Sequence, residues 1–395
     1  MDETHGIECV WSDPKGHPQC PHGPTLLFSR YIDGKSEQFY ACAACRDRKL
    51  CKFYLKHGED LRLTDYQMSH PSEILRPLDD SKKEAQYFFS RKSTEEMVNM
   101  LVKFGAKQVL CIGTPRIHEY IMEKHENEIS SLLLDFDGRF HSFFGPLNYC
   151  WYSLLNHHFF NENAADVFKD FLTQNNGEGT YLICDPPFGV RLEALSWSIK
   201  RISDLYRKWN KIENENDKLK IVFIFPYFME STMKHKSTPP TISGGLKDLQ
   251  MSDYKVDYDN HPLFVTKVKN NKLPSPIRIF TNIALSQLEL PESDGYKYCK
   301  RCQKWVSSEN KHCKKCKACT SKNGRTYKHC NACNRCVKPS WKHCGTCERC
   351  TLEKHQCGQK PKFVGRCLKC DKQGMSFANY SEYCSIFQKI MFPDN

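Results

Sequence analysis

The block His-Cys-x2-Cys-x2-Cys occurs three times, at 312–319, 329–336 and 343–350, and each time its last cysteine lies seven residues after the histidine. Thiolates and imidazoles at this spacing are zinc ligands, so the segment must fold around metal rather than around an apolar core. The 395-residue chain holds 23 cysteines, a number that could also mark a secreted disulfide scaffold. Against that, Met1-Asp2-Glu3-Thr4-His5 is acidic and polar, unlike a signal peptide, and no apolar run approaches a membrane span. A reducing compartment with structural zinc is expected. Formal net charge is +12, and residues 296–357 hold 16 Lys/Arg against 3 Asp/Glu, so the rest of the chain sums to −1. Zinc bound by three thiolates and one neutral histidine carries −1, so four such sites would leave the segment near about +9. Basic residues among Trp305, Tyr327 and Trp341 suit phosphates and stacked bases, which predicts a polyanionic partner. The plainer alternative is a solvated lysine surface over purely structural zinc.

Upstream the pattern changes. Residues 1–60 form a small cysteine-bearing module, 61–84 read as a polar linker, and 85–290 alternate helix and strand as an α/β sheet does. A helix is predicted over 94–104, capped by Ser93-x-x-Glu96. Strands follow at 108–112 and 131–134, ending at Gly113 and Asp135, with a helix over 116–126. Helices at 164–172 and 192–210 flank a strand at 181–184; a strand at 221–225 stops at Pro226. Late strands at 254–258 and 277–285 read as an antiparallel hairpin, and 358–395 as a loosely patterned tail. Cys111, Cys150 and Cys184 lack metal-ligand neighbours and read as small core residues.

The most chemically pointed stretch is Tyr181-Leu182-Ile183-Cys184-Asp185-Pro186-Pro187-Phe188-Gly189. Two prolines stop the strand, leaving a carboxylate, a free carbonyl and an aromatic face at its carboxyl end. Ligands bind at that end of open α/β sheets, and an acceptor pair beside a π-face suits a planar substrate bearing an amino group. Alone, the segment also reads as a strand followed by a stiff turn.

A parallel sheet with a terminal antiparallel hairpin and an Asp-Pro-Pro-Phe turn resembles the Rossmann-like, S-adenosylmethionine-dependent methyltransferases, most closely those acting on adenine N6 and on amines. The residues carrying the resemblance are Phe88-Phe89-Ser90, Val109 to Arg116, Leu134-Asp135-Phe136-Asp137 and Asp185 to Gly189. It implies cofactor binding by Tyr87, Phe88, Phe89, Ser90, Gly113, Pro115, Arg116, Asp135 and Asp185. Catalysis falls to Asp185, Pro186, Pro187 and Phe188. Asp135 is assigned to the ribose hydroxyls, with Asp137 as the fallback. The glycine loop is a departure, since Gly113 stands without a full Gly-x-Gly-x-x-Gly. The same motif serves enzymes that methylate lysine or glutamine nitrogens.

Cys20-Pro21-His22 followed by Cys42 and Cys51, with Phe39-Tyr40 and Phe53-Tyr54 beside them, resembles the GRF-type zinc finger, a single-stranded nucleic-acid module. The resemblance implies Cys20, His22, Cys42 and Cys51 as ligands; Cys45 can replace one of them, and Cys9 fits no set. The repeats resemble the cysteine-rich region of DHHC-type proteins, where ligands interlock between blocks. Carried over, the quartets are Cys299, Cys302, His312 and Cys319; Cys313, Cys316, His329 and Cys336; and Cys330, Cys333, His343 and Cys350. A fourth, Cys344, Cys347, His355 and Cys357, ends in a His-x-Cys that departs from the repeat. Other partitions remain open on spacing alone. Palmitoyl transfer is not implied, because the Asp-His-His-Cys nucleophile is absent. Cys367-x2-Cys370 opens a CCHC-like knuckle that no histidine completes, Cys384 being the only later cysteine.

Together these parts resemble the zinc-finger-bearing ribosomal RNA N6-adenosine methyltransferases. That implies an adenosine in large-subunit ribosomal RNA as substrate, S-adenosylmethionine and several zinc ions as cofactors, no membrane, and residence in nucleolus and cytoplasm. Two rivals stand beside it: a protein-lysine N-methyltransferase using the same turn, and a non-catalytic RNA-binding zinc protein.

Overall fold

The computed structural model describes residues 6–32, 35–45, 47, 49–51, 53–58, 63–78, 86–214, 217–261, 275–355 and 357. The expected tail at 358–395, with Cys367, Cys370 and Cys384, lies outside the described residues. The chain forms two compact units, Met1–Asp65 and Tyr66–Asn395. In the first, strands Ile7–Cys9, Leu26–Ile32, Lys35–Ala41 and Tyr54–Lys56 make an antiparallel sheet in that order. Its buried apolar side chains are few, chiefly Leu27 and Phe39 beside Cys20, Cys42 and Cys51. So small a core needs a metal staple.

The second unit is built on an eight-stranded sheet. Its strands are β1 (Gln108–Ile112), β2 (Ser130–Asp135), β3 (Tyr149–Ser153), β4 (His158–Phe159), β5 (Thr180–Cys184), β6 (Lys220–Pro226), β7 (Gln250–Lys255) and β8 (Ile277–Thr281). They lie in the order β4-β3-β2-β1-β5-β6-β8-β7. β3, β2, β1, β5 and β6 pair in parallel, whereas β8 runs antiparallel to both β6 and β7. All residues of β1 and β5 are buried, as an apolar run covered on both faces requires. Alternation sorts them: Val109, Cys111 and Ile183 join one core, and Leu110, Ile112, Leu182 and Cys184 the other. Helices α1 (Arg91–Lys103) and α2 (Pro115–Lys124) cover the first face with Met97, Val98, Leu101, Ile117 and Ile121. Helices α3 (Ala164–Thr173) and α4 (Leu192–Trp209) cover the second with Phe168, Leu172, Leu195, Ile199 and Ile202.

Three local expectations are corrected. The cap of α1 is Ser90, whose Oγ accepts from Ser93 N at 3.2 Å; Ser93 itself lies inside the helix, and its Oγ accepts from Asp257 N at 2.9 Å. Two overlapping Ser-x-x-polar frames made the cap ambiguous by one turn. The β3–β4 hairpin was not anticipated, because its aromatic-rich sequence has no clean period. Residues 66–78, expected within a linker, are docked: Ser72 donates from N and Oγ to the Glu119 carboxylate at 2.8 and 2.5 Å. Burial raises the Glu119 pKa to about 7 despite those bonds.

Beyond β8 the described chain forms four small hairpins: Tyr296–Cys299 with Lys304–Ser307, His312–Cys313 with Ala318–Cys319, Lys328–Cys330 with Arg335–Val337, and Trp341–Cys344 with Arg349–Leu352. The first packs on β7 through Asp253, which is 2% exposed. Its Oδ2 accepts from Ser307 N at 3.0 Å and from Asn310 Nδ2 at 2.7 Å. Asn310 continues the net, donating to Ser321 O at 3.1 Å and accepting from Ser321 N at 3.2 Å. The zinc region is therefore joined to the sheet by a buried polar network and is no loose arm. Replacing Asp253 by alanine leaves two buried donors unpaired. A loss of about 3 kcal/mol in unfolding free energy is expected, readable by denaturant melts of the zinc-loaded protein.

Candidate active site and zinc modules

The strand order reverses between β1 and β5, which opens a crevice at their carboxyl ends. Gly113 ends β1 at φ +64°, and a Cβ built there would lie 2.7 Å from the Asp185 carbonyl oxygen. Asp185 N donates to Ile112 O at 3.0 Å, and Gly113 N donates to Leu134 O at 3.0 Å. Glycine is thus required where the Asp-Pro-Pro-Phe turn crosses the end of β1. Around this crossing lies a cavity of about 390 Å³. Ile112, Leu134 and Leu154 supply its apolar wall, and Asp135, Asp137 and Asp185 its acids.

The acids differ in environment. Burial raises the Asp135 pKa to about 7, although its Oδ1 accepts from Asp137 N at 2.8 Å. Burial also acts on Asp137, but Arg139 outweighs it and holds that carboxyl below the usual range. Arg139 Nε and a terminal nitrogen donate to its two oxygens at 2.8 and 2.6 Å. Gln86 Nε2 adds a third bond at 3.3 Å. Asp137 is therefore already satisfied, and Asp135 is the acid with acceptor capacity to offer. Burial pushes the Asp185 carboxyl well above its ordinary value, opposed by a hydrogen bond from Tyr258. The Tyr258 hydroxyl lies 2.9 and 3.0 Å from the two Asp185 oxygens.

Of the expected site residues, Tyr87, Phe88, Gly113, Pro115, Asp135, Asp185, Pro186, Pro187 and Phe188 line this one cavity. Phe188 meets Phe225 edge-on at 5.4 Å between ring centroids. Phe89, Ser90 and Arg116 are elsewhere. Phe89 is core, and Ser90 caps α1. Arg116 hydrogen-bonds Phe89 O and the Asp259 carboxylate, clamping the 87–90 segment from behind. Tyr258 and Gln86 were missed. They sit on stretches that the sequence offered only as a strand end and a linker edge, with no motif to mark them. Their partners come from 70 or more positions away for Tyr258, which only the fold supplies.

Five quartets of ligand atoms, each within 4.8 Å of one another, are brought together. They are Cys20, His22, Cys42 and Cys51; Cys299, Cys302, His312 and Cys319; Cys313, Cys316, His329 and Cys336; Cys330, Cys333, His343 and Cys350; and Cys344, Cys347, His355 and Cys357. Cys45 stays close, its Sγ 3.8 Å from His22 Nε2 and its amide donating to Cys42 Sγ at 3.3 Å. The hairpin register explains the interlocking. His312 pairs with Cys319, His329 with Cys336, and His343 with Cys350. Adjacent strand residues point to opposite faces, so each histidine closes the preceding quartet while the next cysteine opens the following one. Each opening C-x2-C is followed by a non-glycine residue in the left-handed region: Gln303, Lys317, Asn334 and Glu348, with φ between +46° and +51°. That conformation costs about 1–2 kcal/mol per residue, which zinc ligation of the turn offsets. In the last quartet His355 presents Nε2, 3.6 Å from Cys347 Sγ, while its Nδ1 is 3.0 Å from Leu352 O. The others approach sulfur through Nδ1, as His312 does Cys302 at 3.2 Å.

Residues 80–263 match a family model described as probable N6-adenine methyltransferase. The rRNA N(6)-adenosine-methyltransferase ZCCHC4 of Homo sapiens is 37% identical to this chain, the match covering 74% of it and 69% of that protein. For the Xenopus laevis protein of the same name the identity is 38%, with 74% and 72% covered. The chain belongs to the ZCCHC4 methyltransferase family.

Membership of the ZCCHC4 family implies S-adenosylmethionine as cofactor, and the cavity fits it. Its volume lies in the range of ligand sites. The buried Asp135, drawn toward protonation by its burial, suits a vicinal diol, and Tyr87 and Phe88 give an aromatic wall. The Cys3His quartets fit structural zinc. Gly113→Ala combines a left-handed backbone with a clash against backbone, so the turn must shift. A stability loss of about 2 kcal/mol and at least tenfold weaker binding of S-adenosylmethionine are expected, checked by melting and by calorimetry.

Proposed function

We propose that this chain transfers a methyl group from S-adenosylmethionine to the N6 amine of an adenosine in large-subunit ribosomal RNA. The observation that carries the reading is Asp185, a half-buried carboxylate at the switch point of the sheet, flanked in the cavity wall by Pro186 and Phe188. The names of the relatives support ribosomal RNA as the substrate.

Bound S-adenosylmethionine supplies a methyl group on a sulfonium, open to direct in-line displacement. Asp135 would accept hydrogen bonds from the ribose hydroxyls, and Tyr87 and Phe88 would wall the cofactor on one side. The exocyclic amine of adenine is conjugated with its ring and is a poor nucleophile. Asp185 and the Pro186 carbonyl accept its two N–H bonds, turning the nitrogen lone pair toward the methyl group and stabilising the charge that develops on nitrogen. Pro187 stiffens the turn, and Phe188 offers a face to the base. A base inside a duplex cannot reach such a pocket, so the target is unpaired or flipped out. The basic zinc hairpins hold the flanking backbone. Trp305, expected among the stacking residues, is partly spent on the core, where it packs at its edge. The same reading places the protein in nucleolus and cytoplasm, where this RNA is assembled and used.

Two experiments test this. Asp185→Ala is expected to lower methyl transfer at least about 100-fold while S-adenosylmethionine still binds. N6-methyladenosine mapping, with and without the protein, should then lose one position in large-subunit ribosomal RNA. Label appearing only in protein would support the lysine rival, and failure to bind S-adenosylmethionine would support the non-catalytic one. Lys314, Lys315 and Lys317 stand exposed on one hairpin. Changing all three to glutamine should flatten the slope of log affinity for RNA against log salt by about 2, measured by titration at several ionic strengths.

A further inference from the structure

We propose that Tyr258 is a positioning residue for methyl transfer, acting through its hydrogen bond to Asp185 to hold that carboxyl ionised and in one plane. The proposal rests on the reading of Asp185 given above. Tyr258 is 3% exposed and lines the cavity. Its hydroxyl reaches both Asp185 oxygens, at 2.9 and 3.0 Å, so it donates across the carboxylate edge and leaves the outer lone pairs for a substrate amine. Its backbone is fixed from both sides. Tyr258 bridges Phe89, Ser90 N donates to Asp257 O at 2.8 Å, and Asp259 N donates to Phe88 O at 3.0 Å. The Phe89 ring lies 5.2 Å from the Tyr258 ring. The stretch that brings Tyr87 and Phe88 to the cavity is thus the stretch that aims Tyr258.

The chemistry requires such a donor. A neutral carboxylic acid would offer O–H to the amine lone pair, which ties up the nucleophile and removes an acceptor. Burial drives Asp185 toward that neutral form, and the hydroxyl of Tyr258 opposes it. The other titratable groups nearby bring no positive charge to Asp185. Cys184, on the same strand, is pushed well above its ordinary pKa by burial and stays neutral. His261, whose ring lies 6.4 Å from that of Tyr258, is lowered by burial to about 4 and is neutral near pH 7. Tyr87, 6.1 Å from Tyr258, is raised by burial and is neutral too. The acids across the cavity are Asp135 and Asp137, and neither is a donor to Asp185 when ionised.

The test uses the full zinc-loaded chain, tritiated S-adenosylmethionine, and large-subunit ribosomal RNA transcribed without modification. Tyr258→Phe keeps the ring and removes the donor. The active form of Asp185 is the anion, so a raised pKa moves the acid limb of the rate profile upward. A shift of about one to two pH units is expected, with turnover near pH 7 falling by up to about 50-fold and recovering at higher pH. Cofactor affinity by calorimetry should stay within about twofold. On an Asp185→Asn background, which cannot ionise, Tyr258→Phe should add less than about a twofold loss. A uniform loss at every pH, additive with Asp185→Asn, would show a merely structural role and overturn the proposal, as would an unmoved profile at wild-type rate. Undiminished turnover in Asp185→Ala would sink the reading of Asp185 itself. Loss in Asp185→Ala with an unaltered Tyr258→Phe enzyme would remove only Tyr258.

Discussion

The Asp185 carbonyl crosses the end of β1 so closely that only glycine fits beneath it, and the arrangement of the site depends on that crossing. The hydrogen bond from Asp185 N to Ile112 O extends the β1–β5 pairing by one residue past the strand end. The Asp-Pro-Pro-Phe turn therefore cannot swing free, and its carboxyl faces the cavity. Because the crossing falls where strand order reverses, the same few atoms fix the floor of the cavity and the acceptors for the amine. Asp135 enters from the next strand, and Gln86, Tyr87 and Phe88 close the far wall. A turn anchored by one glycine contact can thus replace a longer glycine-rich loop in giving the backbone a tight path.

The zinc hairpins solve a different problem by a local rule. None of them has a core of its own, and each consists of two strands a few residues long. Placing histidine and cysteine next to each other on a strand sends one ligand to each face, so each of the three later hairpins carries ligands of two different quartets. The array then behaves as a chain of links, and loss of one metal loosens two neighbours. Its attachment to the sheet combines the hydrogen bonds of Asp253 with Tyr296 and Trp305 packed against the core, which explains how a strongly basic segment stays docked at an edge strand.

Much of this was legible in the sequence. Buried parallel strands announced themselves as short apolar runs ending in Gly113, Asp135 and Asp185, because strands covered on both faces have no polar side. The metal quartets followed from spacing and the family resemblance, since ligand chemistry tolerates few residue types. What could not be read was long-range or aperiodic. Arg116 looked like part of the cofactor loop but turns back to clamp residues 89 and 259, a contact made across about 140 positions. Residues 66–78 looked like a linker because their anchor, Glu119, is a single acid on a distant helix. Ser93 and Ser90 competed for one cap. Tyr258 carried no signal at all, since a tyrosine at a strand end is most often plain packing.

The placement of β7 joins these parts. Asp253 points toward the zinc hairpins, taking its bonds from Ser307 and Asn310, and five residues later Tyr258 reaches Asp185. Between them the Lys255 amide donates to Tyr296 Oη at 3.0 Å, at the start of the first hairpin. A strand and its extension tied at both ends cannot slide without breaking a buried polar bond, and such bonds are costly to lose. The zinc hairpins therefore brace the strand from which the active-site tyrosine projects. The basic segment, which composition alone marks only as a partner-binding surface, is by this geometry also part of the frame that holds the carboxylate in place.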